Sequence, residues 1–155
     1  AMAIWTTLMG KPEGVGEWLK VEQSRINTFA DATEDHQFIH VDPARAAATP
    51  FGGTIAHGFL TLSLLPRMME DIGVGTEDTV MGLNYGFDKI RFLAPVKVNS
   101  RVRARAKLLD VREKAPKQFL ITQEITVEIE NESKPALIAE WLTMVIEQAP
   151  AGKAS

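Results

Sequence analysis

The sequence predicts an α+β domain in which an antiparallel sheet of about five strands wraps around one long buried helix. In the second half of the chain, apolar and polar residues alternate with a period of two, which is typical of strands with one solvated face. In the first half, residues 56–71 are apolar on almost every side, which indicates a buried helix. A sheet that packs against such a helix is a layered α+β architecture.

The elements before the central helix are short. Residues 17–21 predict a strand, and Ser24 is a typical N-cap for a helix through about Ala32. Residues 33–41 show no periodicity and predict an ordered loop. The pair Asp42-Pro43 is typical of an N-cap followed by the first residue of a short helix.

The central helix is expected to bend and then to end at glycine. Pro66 lies inside it and has no N–H to donate, so we expect a kink there. Gly73 follows the last apolar residues, as glycine commonly does after a helix. The predicted strands come after this point, over residues 80–92, 101–108, 119–130 and 137–146.

Two of these strands have distinctive features. Gly82 and Gly86 interrupt the first one, which suggests a bulge or a close backbone approach. The last one, Leu137–Ile146, is apolar on both faces and predicts a central or interface strand. One buried helix covers only one side of the sheet, and exposing the other would leave a large apolar patch. We therefore expect a homodimer.

Length and composition indicate one globular domain over residues 1–155. Of these residues 45% are hydrophobic and 24% charged. The chain has no cysteine, which excludes disulfides, thiolate zinc sites and a cysteine nucleophile. No apolar stretch approaches the ~18 residues of a membrane span, and no secretion signal is evident. We therefore expect a cytoplasmic protein without a membrane partner.

The charge distribution allows two interpretations. The net charge of −3 argues against a dedicated nucleic-acid-binding protein. The segment Lys89–Lys117, however, contains ten basic and only two acidic residues. The basic residues either form the solvated face of a strand, which we favour on the sequence alone, or bind an anion.

The residues with chemical potential are concentrated in one window. All three histidines, His36, His40 and His57, lie within it, together with Asp35 and Asp42. Asp35 and His40 are five residues apart on the predicted loop, so their side chains can converge without helical geometry. His57 and the following glycine open the buried helix, where unpaired N–H groups suit a developing oxyanion.

Three stretches of the chain occur in a distinctive order: Asp35-His36-Gln37-Phe38-Ile39-His40-Val41-Asp42, then residues 50–58 with His57-Gly58 at their end, then residues 84–96. They resemble, in turn, the active-site motif, the His-Gly start of the central helix and the next strand of the MaoC-like family of (R)-specific enoyl-CoA hydratases. Gln37-Phe38 stands in place of Asn-Pro, as in the NodN-like branch. The match covers residues 15–147. It implies a hot-dog fold and a homodimer with its sites near the subunit interface.

The resemblance also implies roles for particular residues. Asp35 and His40 match the catalytic pair, and Gly58 matches the donor to the thioester oxygen. The other candidate substrate-binding residues are His57, whose alternative role is to orient the helix start, Tyr85 in the acyl pocket, and Lys89 and Arg91 on the phosphates of coenzyme A.

The implied reaction is the addition of water to a trans-2-enoyl-CoA to give an (R)-3-hydroxyacyl-CoA. Asp35 and His40 would hold one water between them, one taking its proton as it attacks C3 and the other helping to protonate C2. Gly58 N–H would stabilise the enolate oxygen. No metal or redox cofactor is needed, since coenzyme A is part of the substrate.

Other readings of the same residues remain. Asp35 is also compatible with a turn cap, and His40 with a structural core histidine. His36, His40, His57 and Asp42 offer metal ligands, although the His-Glu-x-x-His order is absent. A hot-dog acyl-CoA thioesterase or a non-catalytic acyl-thioester-binding protein is the alternative function.

Overall fold

Alternating apolar residues build a six-stranded antiparallel sheet in the computed structural model, which describes residues 2–148. The order along the sheet is β1-β4-β5-β6-β3, and β2 also pairs with β4. The strands are β1 (Gly14–Val15), β2 (Leu19–Lys20), β3 (Thr79–Phe92), β4 (Arg101–Ala115), β5 (Gln118–Ile129) and β6 (Leu137–Glu147).

The four long strands form where the sequence predicts them, but β4 continues to Ala115, well beyond the predicted end at residue 108. In β4 and β5, buried and solvated residues alternate along most of each strand. Strand β6 lies between β5 and β3, which confirms the prediction of a central strand. The register shifts between Asn84 and Gly86, confirming a bulge there, whereas pairing is regular through Gly82. The strand predicted over 17–21 is shortened to β2, and β1 is too short to carry any pattern.

The helices are short. They are α1 (Met2–Met9), α2 (Gln23–Thr33), α3 (Phe38–Val41), α4 (Pro43–Ala47), α5 (Gly58–Ser63) and α6 (Leu65–Met68). Helix α4 begins as predicted, since the Asp42 carboxylate accepts a hydrogen bond from Arg45 N–H at 3.1 Å. The prediction of Ser24 as an N-cap is wrong. Helix α2 begins at Gln23, after Glu22 in extended backbone, and Ser24 lies inside it.

The predicted long central helix is two shorter helices. Helix α5 ends at Ser63, and α6 begins at Leu65 with Pro66 in its first turn. A proline in a first turn loses no hydrogen bond, so Pro66 starts a new helix instead of kinking a continuous one. The pair is also not buried on every side, because Phe59 is 67% exposed while Leu65 is 1% exposed.

The main core lies between one face of the sheet and the helices α2, α5 and α6. Ile26 of α2 is fully buried in it, and Ala30 of the same helix is also fully buried. A second, smaller core lies at the other end of the sheet, under α1. Trp5 of α1 is fully buried there, with its ring 5.8 Å from that of Phe119. The sequence analysis assigned no element to this N-terminal segment.

Strand β3 is an edge strand with exposed apolar side chains. Only β6 pairs with it among the described strands. The large apolar residues of β3 that are at least two-fifths exposed are Val80, Met81, Leu83, Tyr85 and Phe92. A long apolar edge of this kind is a template for pairing with another chain. Within residues 2–148, no helix combines the length and hydropathy that crossing a membrane requires.

Candidate active site

Two chain segments meet to form the candidate active site. Helix α2 ends at Thr33, and Glu34 follows in the left-handed region with φ of 60°, which turns the chain into Asp35. The segment 33–41, predicted as a loop, contains one turn of helix, α3, and this turn carries His40. Residues 54–56 run antiparallel to residues 96–98, and Ile55 N–H donates to the Ile39 carbonyl at 3.0 Å. This pairing holds α3 beside the start of α5.

His40 is buried and its ring is fixed by one hydrogen bond. Its Nδ1 lies 2.7 Å from the Ile55 carbonyl oxygen. Because a carbonyl oxygen only accepts, Nδ1 carries the proton, and Nε2 of the neutral ring holds a free lone pair. Burial lowers the pKa of His40, against the opposing effects of the Ile55 hydrogen bond and of Asp35. The ring is thus held in its neutral, basic form.

Asp35 lies next to His40 and keeps contact with solvent. Its side chain is about half exposed, and Gln37 N–H donates to Oδ1 at 3.3 Å. Its backbone carbonyl accepts a hydrogen bond from His57 Nε2 at 3.0 Å. Potential ligand atoms of Asp35, His40 and His57 all lie within 4.8 Å of one another. A carboxylate and an imidazole are therefore close enough to share one small molecule.

His57 lies behind His40. The two rings are stacked with centroids 3.8 Å apart and an interplanar angle of 22°. His57 is 3% exposed, and its Nδ1 has no hydrogen-bond partner. Because a carbonyl oxygen only accepts, the His57 Nε2 that lies on the Asp35 carbonyl carries a proton. In this position His57 orients Asp35 through its hydrogen bond and packs against His40, and it does not line the cavity.

An apolar cavity of about 300 Å³ opens beside His40. Gly58, the first residue of α5, lies on its wall, where backbone N–H groups have no partner within the helix. A Cβ atom at Gly58 would lie 3.1 Å from the Phe92 ring, so glycine allows the close packing of this wall. The lining residues are His40, Phe51, Ile55, Ala56, Gly58, Thr61, residues 92–96, Ala136 and Leu137.

Four of the five predicted substrate-binding residues do not line this cavity: His57, which stacks on His40, and Tyr85, Lys89 and Arg91, which line other depressions. Tyr85 lines a separate groove between β3 and the α5–α6 pair. Lys89 and Arg91 pair with Glu140 and Ile138 of β6, on the sheet face opposite the helices. They line a different depression there, and Lys89 Nζ lies 3.5 Å from the Glu140 carboxylate. Within one chain, the structure does not bring Tyr85, Lys89 and Arg91 together with Asp35 and His40.

Much of the basic segment is paired on the sheet surface. Arg103 Nε donates to Glu128 at 2.8 Å, and Arg105 binds the same carboxylate. Arg101 binds Glu130 in the same way across β4 and β5. These pairs favour the interpretation of a solvated strand face for this part of the segment.

The proposed metal-ligand set does not assemble as a whole. His36 Nε2 bonds to Asp31 at 2.9 Å on the surface, and Asp42 caps α4. The group that does assemble in residues 2–148 is Asp35, His40 and His57. In it, one nitrogen of each histidine is already committed to a carbonyl oxygen.

Sequence reasoning missed part of the site. Gln23 and Thr54 hold the segments around His40 through side-chain hydrogen bonds, and Phe92 forms part of the cavity wall. Gln23 and Thr54 are 31 residues apart, and no spacing rule connects them. The sequence places Phe92 at the end of a strand but does not indicate which face of the sheet it occupies.

Comparisons with known proteins show the family of the chain. Residues 6–131 match the family model described as MaoC like domain. Nodulation protein N of Rhizobium leguminosarum bv. viciae is 53% identical over 138 residues, which are 88% of this chain and 86% of that protein. The 3-hydroxyacyl-thioester dehydratase Z of Mycobacterium tuberculosis (H37Rv) is 49% identical over 137 residues, which are 88% of this chain and 90% of that protein.

A solved structure shows the same fold. The (R)-hydratase of Aeromonas caviae involved in PHA biosynthesis superposes with a TM-score of 0.70 at 24% identity, over 85% of this chain and 92% of that chain. This similarity confirms the predicted hot-dog architecture. The family model spans most of the sequence, and relatives about half identical to it cover nearly nine-tenths of it. The chain therefore belongs to the MaoC-like dehydratase family, in the branch represented by nodulation protein N.

Proposed function

We propose that this protein adds water to a trans-2-enoyl-CoA thioester to give an (R)-3-hydroxyacyl-CoA, and that it catalyses the reverse dehydration. One observation carries the proposal. A carboxylate and a neutral imidazole, those of Asp35 and His40, lie within 4.8 Å of each other, and the His40 ring lines an apolar cavity. A carboxylate and an imidazole this close together can bind one water molecule between them.

The tautomer of His40 suggests a division of labour. Nε2 is the unprotonated nitrogen, so it accepts the proton of the water as the oxygen bonds to C3. Asp35 accepts the second hydrogen and orients the attacking lone pair. The electrons of the C2–C3 double bond move toward the thioester oxygen, and the imidazolium then returns the proton to C2. The balance is the addition of one water molecule, with the enzyme regenerated.

Gly58 is the proposed donor to the thioester oxygen. It lies on the cavity wall at the start of α5, and a backbone N–H there would stabilise the enolate as its charge develops. The step transfers protons without electrons, so it requires no redox cofactor, and a fixed N–H group takes the place of a Lewis-acidic metal. Coenzyme A enters only as part of the substrate.

The relatives support a thioester substrate. One of them is named a 3-hydroxyacyl-thioester dehydratase, which is the reverse direction of the same chemistry. The apolar lining of the cavity suits an acyl chain. We also propose a homodimer that pairs through the exposed edge of β3, and a cytoplasmic location, with which a chain without cysteine is compatible.

The assay that tests the proposal separates hydration from thioester hydrolysis. The purified protein is incubated with a trans-2-enoyl-CoA, and loss of the conjugated thioester, free thiol and the configuration of the product are measured together. We expect loss of conjugation without thiol release, and an (R)-3-hydroxyacyl product. Thiol release at the same rate would indicate a thioesterase. Tight binding of the substrate without turnover would indicate a non-catalytic acyl-thioester-binding protein. Either result contradicts the proposal.

A further inference from the structure

Gln23, the first residue of α2, joins the two chain segments that position His40. Its Nε2 donates to the His40 carbonyl at 2.7 Å and to Asn27 Oδ1 at 2.9 Å. Its Oε1 accepts a hydrogen bond from Thr54 Oγ1 at 2.5 Å. Every polar hydrogen and the oxygen of this amide therefore have a partner.

These bonds fix the direction of the amide. A carbonyl oxygen only accepts, so the NH₂ group must face His40, and the Thr54 hydroxyl then donates to the oxygen. Thr54 is 1% exposed and precedes Ile55, whose carbonyl orients the His40 ring. The Gln23 side chain thus makes two contacts around His40. It binds the His40 main-chain carbonyl, and it binds Thr54, next to the residue whose carbonyl orients the His40 ring.

The need for such a clamp follows from the length of α3. A helix of four residues leaves its last carbonyl groups without partners inside the helix. The His40 carbonyl is one of these groups, and the Gln23 amide satisfies it. Without that bond, α3, which carries the proposed base, would lose this hydrogen bond to α2.

We propose that Gln23 is a positioning residue for His40. Gln23 keeps the His40 imidazole oriented so that Nδ1 donates to the Ile55 carbonyl and Nε2 is free for proton transfer. The inference rests on the proposed function, because the value of a free Nε2 depends on His40 acting as a base. Gln23 does not line the cavity, so it acts through His40 and not through the substrate. Its loss should therefore affect turnover more than substrate binding.

The test uses two matched amide-to-acid substitutions on the same helix. Gln23→Glu keeps the size of the side chain and the acceptor for Thr54, but it places a carboxylate oxygen against the His40 carbonyl. Asn27→Asp adds the same charge one turn further along and keeps the acceptor for Gln23. Gln23→Ala removes the clamp without adding charge, in case the glutamate variant fails to fold.

We expect kcat for enoyl-CoA hydration to fall roughly ten- to hundredfold in Gln23→Glu and in Gln23→Ala, since small displacements of a catalytic group have effects of this order. KM should stay within about threefold, and Asn27→Asp within about twofold of wild type in both constants. Unchanged kcat in both Gln23 variants, or an equal loss in Asn27→Asp, would overturn the inference.

A second readout does not depend on activity. Nitrogen-15 NMR of labelled histidine reports which ring nitrogen of His40 carries the proton. We expect the Nδ1–H form in wild type and Asn27→Asp, and a mixture of tautomers in the Gln23 variants. An unaltered His40 spectrum in those variants would overturn the positioning role. If wild type shows the Nδ1–H form but no hydration, the proposed function fails while the spectrum still decides the role of Gln23.

Discussion

At the scale of single residues, the candidate site depends on which nitrogen of each histidine carries the proton. His40 Nδ1 and His57 Nε2 both donate to backbone carbonyls, those of Ile55 and Asp35. The two rings stack at 3.8 Å, and the pKa of His40 is lowered mainly by burial and also by the electrostatic effect of His57. The pair therefore favours a neutral His40 with a basic Nε2.

The first prediction concerns the pH dependence of hydration. Burial lowers the pKa of His40 below its usual value of about 6.5, so the basic form persists at a pH at which an exposed histidine is protonated. We expect kcat/KM to fall on the acid side only below about pH 6.5, when the lowered pKa is passed. A pH–rate profile measures this.

The matched control is His36→Gln. His36 is exposed and bonds to Asp31 away from the cavity, so the variant should keep the wild-type profile. An acid limb centred above pH 6.5, or one displaced by the His36 substitution, would contradict the assignment of the base to His40.

The second prediction concerns the binding of coenzyme A phosphates. Arg91 precedes the cavity-lining Phe92 on an edge strand, although its side chain lies on the opposite face of the sheet. We propose that the pantetheine arm leaves the cavity at this edge and brings the phosphates within reach of Arg91. We expect Arg91→Ala to raise KM for a full acyl-CoA and to leave kcat unchanged. Lys89→Ala should have a smaller effect, because Glu140 neutralises Lys89. Exposed charges are screened by salt, so the penalty should shrink at high ionic strength.

A truncated pantetheine thioester is the control substrate. It lacks the nucleotide phosphates, so the KM penalty of Arg91→Ala should vanish with it. Equal penalties with both substrates would mean that Arg91 shapes the acyl or pantetheine pocket instead.

The residue scale is also where sequence reasoning reaches furthest and then stops. The motif identifies Asp35 and His40 together as candidates, and the structure places them side by side. The motif does not reveal that the His57 ring stacks on the His40 ring, or that Gln23 donates to the His40 carbonyl. Those contacts arise from the packing of α2 against residues 54–56, which no local pattern encodes.

At the scale of elements, helix α1 is the clearest departure from expectation. Trp5 is fully buried against β4 and β5, whereas Ile4 on the same helix is 51% exposed. We expect Trp5→Ala to lower the free energy of unfolding by about 3–5 kcal/mol, the usual range for a truncated buried aromatic residue. Ile4→Ala should cost under about 0.5 kcal/mol. Urea unfolding at a fixed protein concentration compares them, and equal losses would show that α1 does not pack as described.

Other elements were predictable in proportion to the length of their pattern. Strand β5 alternates over its 12 residues and β4 over residues 101–108, so the existence and faces of both could be read directly, whereas the irregular second half of β4 could not. The break at Leu64 could not, because Pro66 is compatible with both a kinked helix and a new first turn. Apolar neighbours alone do not distinguish the two.

At the scale of the whole molecule, the apolar edge of β3 predicts association. We expect a particle of twice the 17.1 kDa chain mass by light scattering at micromolar concentration. Leu83 is 51% exposed on this edge, and Leu83→Asp should shift the mass toward that of one chain, since edge charges block strand pairing. Leu109→Asp, on β4 at 40% exposure, is the matched control and should stay dimeric. A monomeric wild-type protein would refute the prediction.

The fold class of the whole molecule was accessible from the sequence because both layers carry a periodic signal. The smaller core under α1 could not be predicted, since it combines Trp5 and Leu8 with strand residues that lie about a hundred positions later in the sequence. The two apolar faces of β6 indicated a central strand. The structure confirms this, since β6 lies between β5 and the edge strand β3.

The central claim is that Asp35 and His40 act on one water molecule, and a double-mutant kinetic cycle tests it most directly. We expect Asp35→Asn and His40→Ala each to lower kcat for enoyl-CoA hydration by roughly 10²–10⁴-fold, with circular dichroism and unfolding midpoints that show a retained fold. The double variant should be little slower than either single one, because residues that act as a unit are not additive. Near-wild-type turnover by either folded single variant, or losses that multiply in the double variant, would contradict the account.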